Sequence, residues 1–274
     1  MLFGMIEFEH VTKSYPDGTV AVSDFSLRIN SGSTVALVGS SGSGKTTLLR
    51  MVNRMVEPTS GRVLVDGDDV SAGDPVRLRR SIGYVLQAGG LMPHRTVAEN
   101  VGAVLRLNGV SRGEARERAL AMMDQVGLDR SLGRRYPGQL SGGQQQRVGV
   151  ARALAPDPDV LLMDEPFGAV DPIVRRDLQD ELLRLQSELG KTIVFVTHDI
   201  EEAFRLGDEV VILRPGGKIA QQGTPEDIMV HPADDFVRRF TGADRADRQL
   251  RIEMRDGRSV AVDGNGRPVG VIDE

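Results

Sequence analysis

The sequence predicts an α/β protein built on a parallel sheet, with an inserted helical segment and a short β-rich tail. Three observations carry that expectation. Strand and helix patterns alternate along most of the 274 residues, the layout of a layered α/β domain. "TVALVG" (34–39), "DVLLMDEP" (159–166) and "KTIVFVTHD" (191–199) contain continuous apolar runs, as strands buried on both faces of a parallel sheet do. From about Gly89 to Pro156 the pattern turns mostly helical, and the last thirty or so residues alternate in short strands around Asp-Gly and Asn-Gly.

Taken in order, "MIEFEHVTKSY" and "AVSDFSLRIN" read as short alternating strands joined by a Pro16-Asp17-Gly18 turn. "TVALVG" is a compact strand that runs into a glycine-rich loop and then a helix from Lys45 to about Met55. "GRVLVDGDDV" reads as a further strand with an Asp-Gly turn. "SRGEARERALAMMDQVGL" is an amphipathic helix opening at a Ser111 cap. "DPIVRRDLQDELLRLQSELG" repeats apolar residues at helical spacing, with Pro172 near its start and Gly190 near its end. A charged stretch, "GADRADRQ" (242–249), reads as a linker to the tail "LRIEMRDGRSVAVDGNGRPVGVIDE".

Bulk composition excludes several classes. A 40% hydrophobic, 27% charged chain can build a sizeable core, and no apolar run approaches the roughly 20 residues of a membrane span. The N-terminus lacks the basic-then-apolar layout of a signal peptide. With no cysteine there is no disulfide or thiolate metal site, which suits a reducing cytosol. A net charge of −5 without a basic stripe argues against nucleic-acid binding. Lysine occurs only at 13, 45, 191 and 218, which draws attention to Lys45.

"GSSGSGKT" fits the phosphate-binding loop pattern G-x-x-x-x-G-K-[ST], and it follows an apolar strand and opens a helix, as that loop must. Gly39, Ser40, Ser41, Gly42, Ser43 and Gly44 supply backbone N–H groups that wrap round phosphate oxygens, with Thr47 following in the helix. Lys45 reaches the β- and γ-phosphates and Thr46 ligates Mg²⁺, so the chain is expected to bind a nucleoside triphosphate. "VLLMDEP" ends a strand in Asp164, placed to hold Mg²⁺, and Glu165, placed to polarise a water; by itself such a pair is usually a solvated turn, and the phosphate loop at 39–46 reverses that reading. His198 and Gln87 also follow apolar strands, where ligand sites form in such sheets, although either could be a plain polar terminus. Tyr15 could stack on an adenine face or simply pack. "LSGGQQQR" (140–147) is either a helix capped by Ser141 or an anion-binding helix start.

Together these residues carry a resemblance. The phosphate loop, Gln87, "LSGGQQQR", "VLLMDEP", "GAVDP" and His198 stand in the order and spacing of ABC-transporter ATPase subunits, over about residues 5–240. The resemblance implies a P-loop NTPase cassette: a parallel core sheet, an antiparallel β subdomain and an inserted helical subdomain at about 89–156. The ATPase domain would cover 1–240 and the tail 241–274. It also implies ATP and Mg²⁺, a head-to-tail dimer, and Ser141, Gly142, Gly143 and Gln144 serving the nucleotide of the other subunit. In that family's terms Tyr15 is the adenine-stacking aromatic, Glu165 the general base, His198 the switch histidine and Asp171 a dimer contact. Thr46, Gln87 and Asp164 form the metal set, Gln87 also facing the membrane partner.

"GLMPHRTVAENV", the run from Glu165 to Asp208 and "HPADDFVRRFTGADR" resemble the osmoprotectant branch, importers of glycine betaine, proline betaine, choline or carnitine. The implied partners are a second copy, integral membrane permease subunits docking at 88–100 and, indirectly, an extracytoplasmic solute-binding protein. The implied location is the cytoplasmic face of the membrane. "SVAVDGNGRPVGVIDE" resembles the strand-turn-strand piece of a regulatory CBS module, shorter than the paired module usual in that branch. An amino-acid importer such as one for methionine is the main alternative. A soluble ABC ATPase acting on DNA or ribosomes is set against the single uninterrupted cassette, and a small-molecule phosphotransferase leaves "LSGGQ" and His198 without a role.

Overall fold

The computed structural model describes residues 4–87, 90–168, 170–243, 250–255 and 258–272. β1 (Ile6–Ser14) and β2 (Val20–Ile29) pair antiparallel about the expected turn, where Gly18 takes φ 85°. β3 (Thr34–Gly39) is buried along its whole length and feeds α1 (Lys45–Val52), which stops three residues short of the expected Met55. β4 (Ser60–Val65) and β5 (Asp68–Asp69) close on Asp66-Gly67, both at positive φ, the backbone a tight two-residue hairpin demands. α2 (Pro75–Ser81) leads into β6 (Ile82–Val85).

The helical segment follows as α3 (Val97–Val101), α4 (Ala103–Leu107), α5 (Arg112–Gln125) and α6 (Gly142–Leu154). Ser111 caps α5 as expected, its hydroxyl accepting from the Glu114 N–H at 3.3 Å. Ala115, Ala119 and Met123 lie four residues apart on the buried stripe of α5. β7 (Val160–Asp164), α7 (Pro172–Leu189), β8 (Thr192–Thr197), α8 (Ile200–Leu206), β9 (Glu209–Arg214) and β10 (Lys218–Gly223) complete the core. Pro172 opens α7 and Gly190, at φ 59°, ends it in the left-handed conformation that glycine adopts without strain. α9 (Pro225–Val230) and α10 (Asp235–Thr241) precede the tail strands β11 (Arg251–Arg255), β12 (Arg258–Val262) and β13 (Pro268–Val271).

Six strands form the main sheet in the order β10-β9-β3-β8-β7-β6, all parallel except β10 on its edge. The continuous apolar runs now have their reason. Along β3, Ala36 and Val38 face one buried cluster with the helical segment, while Val35 and Leu37 face a second with β1, β2 and α1. Along β8, Ile193 and Phe195 divide from Val194 and Val196 in the same way, so neither face meets water. The second sheet, β2-β1-β4-β5, is antiparallel, and the third is the tail meander β11-β12-β13. In that meander Ile252, Met254, Val269 and Val271 are all more than half exposed. The stretch expected as a linker lies outside the described residues from 244 to 249, as does the Asp256-Gly257 turn.

Parallel strands all end on the same edge. β3, β6, β7 and β8 therefore deliver the phosphate loop, Gln87, the Asp164–Glu165 pair and His198 to one side of the sheet.

Candidate active site

β3 ends at Gly39, whose missing side chain is required: a Cβ there would lie 2.5 Å from the Leu213 carbonyl oxygen and 2.7 Å from Ser43 Oγ. The loop turns through Gly42 at φ 78° and reaches Gly44 at φ 85°, the N-cap of α1. A Cβ at Gly44 would stand 2.5 Å from the Ala21 carbonyl oxygen. No side chain caps α1, so its first N–H groups face the loop without a side-chain hydrogen bond at the N-cap. Lys45 is buried, and its Nζ donates to the carbonyls of Gly39 (2.7 Å) and Ser40 (2.9 Å) and lies 3.4 Å from Ser43 Oγ. Burial pulls the Lys45 ammonium below its ordinary value, against the opposing pull of Glu165 and Asp164.

At the end of β7, Asp164 gathers three side chains. Thr46 Oγ1 donates to Oδ1 at 2.9 Å, while the Tyr84 hydroxyl donates to Oδ2 at 3.2 Å and Arg50 Nη2 approaches it to 3.4 Å. Burial pushes the Tyr84 phenol up to about 12, which leaves it a neutral donor. Glu165 follows at φ 45°, an uncommon conformation for a residue with a side chain and one that turns its carboxylate off the strand line. The Glu165 N–H donates to the Val196 carbonyl at 3.1 Å and the Gly168 N–H to the Glu165 carbonyl at 3.2 Å, which hold that turn in place. Gln87 Nε2 donates to Glu165 Oε2 at 3.2 Å, and His198 Nδ1 stands 3.4 Å from the same oxygen.

A groove of about 290 Å³ runs from Ser41 and Gly42 past Lys45, Thr46 and Thr47 to Glu165 and His198. It brings the phosphate loop and the two strand-end residues together. Tyr15 and the residues 141–144 are not part of its lining. Tyr15 sits just beyond β1, 38% exposed, with Lys13 Nζ 5.3 Å from its ring centroid. Ser141 and Gln144 close a capping box at the start of α6: Ser141 Oγ accepts from the Gln144 N–H (3.3 Å) and Gln144 Oε1 from the Ser141 N–H (3.0 Å). Gly143 is needed for packing, because a Cβ there would meet Val174 Cγ1 at 2.2 Å. Asp171 caps α7 through the Val174 N–H at 3.1 Å.

Arg50 and Tyr84 were not legible as site residues in the sequence. Each sits in an ordinary helix or strand pattern, and only folding places both beside Asp164.

The residues present fit a triphosphate and its divalent cation. The uncapped helix start and the left-handed glycines form a cradle that Cβ atoms would fill, and Lys45 brings a cation to it. A Mg²⁺ held largely by substrate phosphates and water needs one or two carboxylates or hydroxyls from the protein, which Thr46 and Asp164 supply, with Gln87 nearby. No cluster of three or more His, Cys, Asp or Glu side chains occurs among the described residues, so an all-protein metal cage is not built here.

A strand-loop-helix phosphate cradle facing an acidic strand end defines a phosphate-loop nucleotide-binding protein. The family model described as "ABC transporter" matches residues 22–168, and the chain belongs to that family. It is 50% identical over 268 residues to the carnitine transport ATP-binding protein OpuCA of Listeria monocytogenes, covering 97% of this chain and 66% of that protein. To the glycine betaine uptake system ATP-binding protein YehX of Escherichia coli it is 48% identical over 257 residues, covering 94% of this chain and 82% of that protein. The chain thus spans about two thirds of the length of the first of these relatives and most of the second. Among solved structures, the post-hydrolysis dimer of the ATP-binding cassette MJ0796, bound to ADP and Pi, matches at a TM-score of 0.72 and 36% identity. That match covers 80% of this chain and 98% of the other.

Proposed function

We propose that this chain is the ATP-hydrolysing subunit of an importer for quaternary-amine osmoprotectants such as glycine betaine, choline or carnitine. The observation that carries the hydrolytic part is the meeting of Glu165, Gln87 and His198 at the far end of the Lys45 groove. Glu165, turned off its strand by a positive φ, accepts a proton from the attacking water, and Gln87 and His198 hold its carboxylate in line. Lys45 and the loop N–H groups bind the phosphates; Tyr15 stacks on the base. Thr46, Gln87 and Asp164 would hold a Mg²⁺ brought in with the nucleotide, which would supply charge neutralisation to the phosphates.

Ser141, Gly142, Gly143 and Gln144 lie outside their own chain's groove, which supports their service to the nucleotide of a second, head-to-tail copy. That a cassette of similar structure is dimeric supports pairing with a second copy. Among the described residues no helix is long and apolar enough to cross a membrane. In this reading the pore is formed by permease subunits and the chain acts at their cytoplasmic face. Residues 88–100, of which 88 and 89 lie outside the described residues, form the docking surface for the permease. An open groove of about 560 Å³ takes His94, Arg95 and Glu99 from this stretch and Arg106, Arg112 and Arg116 from beyond it, with Arg112 3.5 Å from Glu99. Residues 1–240 form the ATPase domain and 241–274 an appendage to it. The solute-binding protein reaches this subunit only through the permease. The choice of solute rests on the relatives' names, carnitine transport and glycine betaine uptake.

The test is uptake of labelled glycine betaine, choline, carnitine and methionine in cells carrying the neighbouring permease with either wild type or Glu165→Gln. Betaine, choline or carnitine uptake that rises with osmolarity and is lost in Glu165→Gln is expected. Methionine uptake would move the chain to an amino-acid importer. Purified Glu165→Gln should still bind ATP while its hydrolysis falls by about 100-fold or more.

A further inference from the structure

Behind the turn that carries His198 lies a buried carboxylate with no part in the chemistry above. Glu202, in the first turn of α8, is 6% exposed. Its Oε2 accepts from the Thr197 hydroxyl at 2.5 Å, and its Oε1 accepts from the Gln179 amide of α7 at 3.2 Å. Thr197 and Gln179 are themselves buried. The Thr197 hydroxyl also accepts from the Asp199 N–H at 3.1 Å. Both chain neighbours of His198 are therefore tied to one internal group.

His198 itself has nothing comparable. Its side chain is 65% exposed, and its charged neighbour is Glu165, 3.4 Å away. An imidazole this open takes its position from the backbone beneath it and not from packing around it. That backbone turn is fixed by Thr197 on one side and Asp199 on the other, and Thr197 is fixed by Glu202. Placing a carboxylate in the interior costs several kcal/mol unless its oxygens are satisfied, and here both are. Burial raises the Glu202 carboxyl, and the Thr197 and Gln179 hydrogen bonds oppose that rise.

We propose that Glu202 is a positioning residue that acts through the Thr197 hydroxyl to fix the His198 turn, and through Gln179 to bind that turn to α7. α7 is capped by Asp171, so the same internal carboxylate joins the turn of His198 to the helix that follows the expected dimer contact. The inference rests on the ATPase reading of His198 given above.

The experiment is a double-mutant cycle on ATP hydrolysis by the full chain, with thermal unfolding recorded for each variant. Thr197→Val removes the hydroxyl at nearly constant shape. It is expected to lower kcat about ten-fold with KM for ATP within about two-fold, because small displacements of a reacting group are costly to rate. Thr197→Ser restores the hydroxyl and the rate. Glu202→Gln, whose amide can serve both neighbours once the Gln179 amide is reversed, stays within about two-fold of wild type. In an His198→Ala background Thr197→Val should cost no further kcat, since the group it positions is gone.

An equal ten-fold loss with and without His198 would overturn the proposal and leave Thr197 a general packing residue. A full-rate His198→Ala single variant would instead remove His198 from its role, and this inference with it. Should Thr197→Val not fold, hydrogen exchange on wild type decides. The Asp199 amide is expected to exchange slowly, and exchange as fast as an open turn overturns the assignment.

Discussion

Two helices of this protein begin on glycine and serine, and they begin differently. α1 opens on Gly44 at φ 85° with no side chain to cap it, at the end of a loop whose lysine is buried. α6 opens on Ser141 in extended backbone and is closed by its own capping box with Gln144. A helix start closed by its own capping box is held in a fixed shape, whereas an uncapped one presents its first N–H groups and dipole together. On the function proposed above, the first is a binding site within its own chain. The second is a rigid, pre-formed surface, with Ser141 and Gly142 exposed and Gly143 packed against Val174. Similar composition gives an uncapped helix start in one place and a self-capped, outward-facing one in the other.

That contrast can be broken most forcefully at the cradle. Lys45→Ala should reduce both nucleotide affinity and hydrolysis by about 100-fold or more, measured by fluorescent-nucleotide binding and phosphate release. Ser141→Arg should abolish turnover while ATP affinity of the isolated chain stays within about two-fold. Collapse of binding in the monomer would show that α6 serves its own nucleotide and dissolve the contrast. Gly44→Ala forces a Cβ to within 2.5 Å of the Ala21 carbonyl at a positive φ. Stability should fall by about 2 kcal/mol, seen as a lower Tm, with weaker nucleotide binding alongside. Ser141→Ala sharpens the comparison most gently: loss of one cap should cost about 1 kcal/mol and a few degrees of Tm, leaving affinity for ATP unchanged.

Much of this arrangement was legible before folding. The three apolar runs are strands of the parallel sheet, and the Pro16-Asp17-Gly18 and Asp66-Gly67 turns stand where their residues called for them. The boundaries of α7 follow from Pro172 and Gly190. α1 ended early, at Val52, because periodicity reports an apolar face and not where the backbone leaves the helix. Of the two readings of "LSGGQQQR", the helix cap is seen directly, with Ser141 capping α6, and the anion-binding one belongs to the proposed dimer.

What the sequence by itself determined is the chemistry available and its order: a phosphate loop between strand and helix, an acidic strand end, and a histidine at the end of another strand. Local patterns suffice there, because loop, strand and helix each depend on residues close in the chain. Only the tertiary structure decided which of those groups meet. Glu165 faces Gln87 and His198 because parallel strands far apart in sequence end on one edge. Arg50 and Tyr84 reach Asp164, and Glu202 and Gln179 reach the His198 turn, through long-range packing that no local pattern encodes. Proximity across the fold is set by burying both faces of the central sheet, and that is a property of the whole chain.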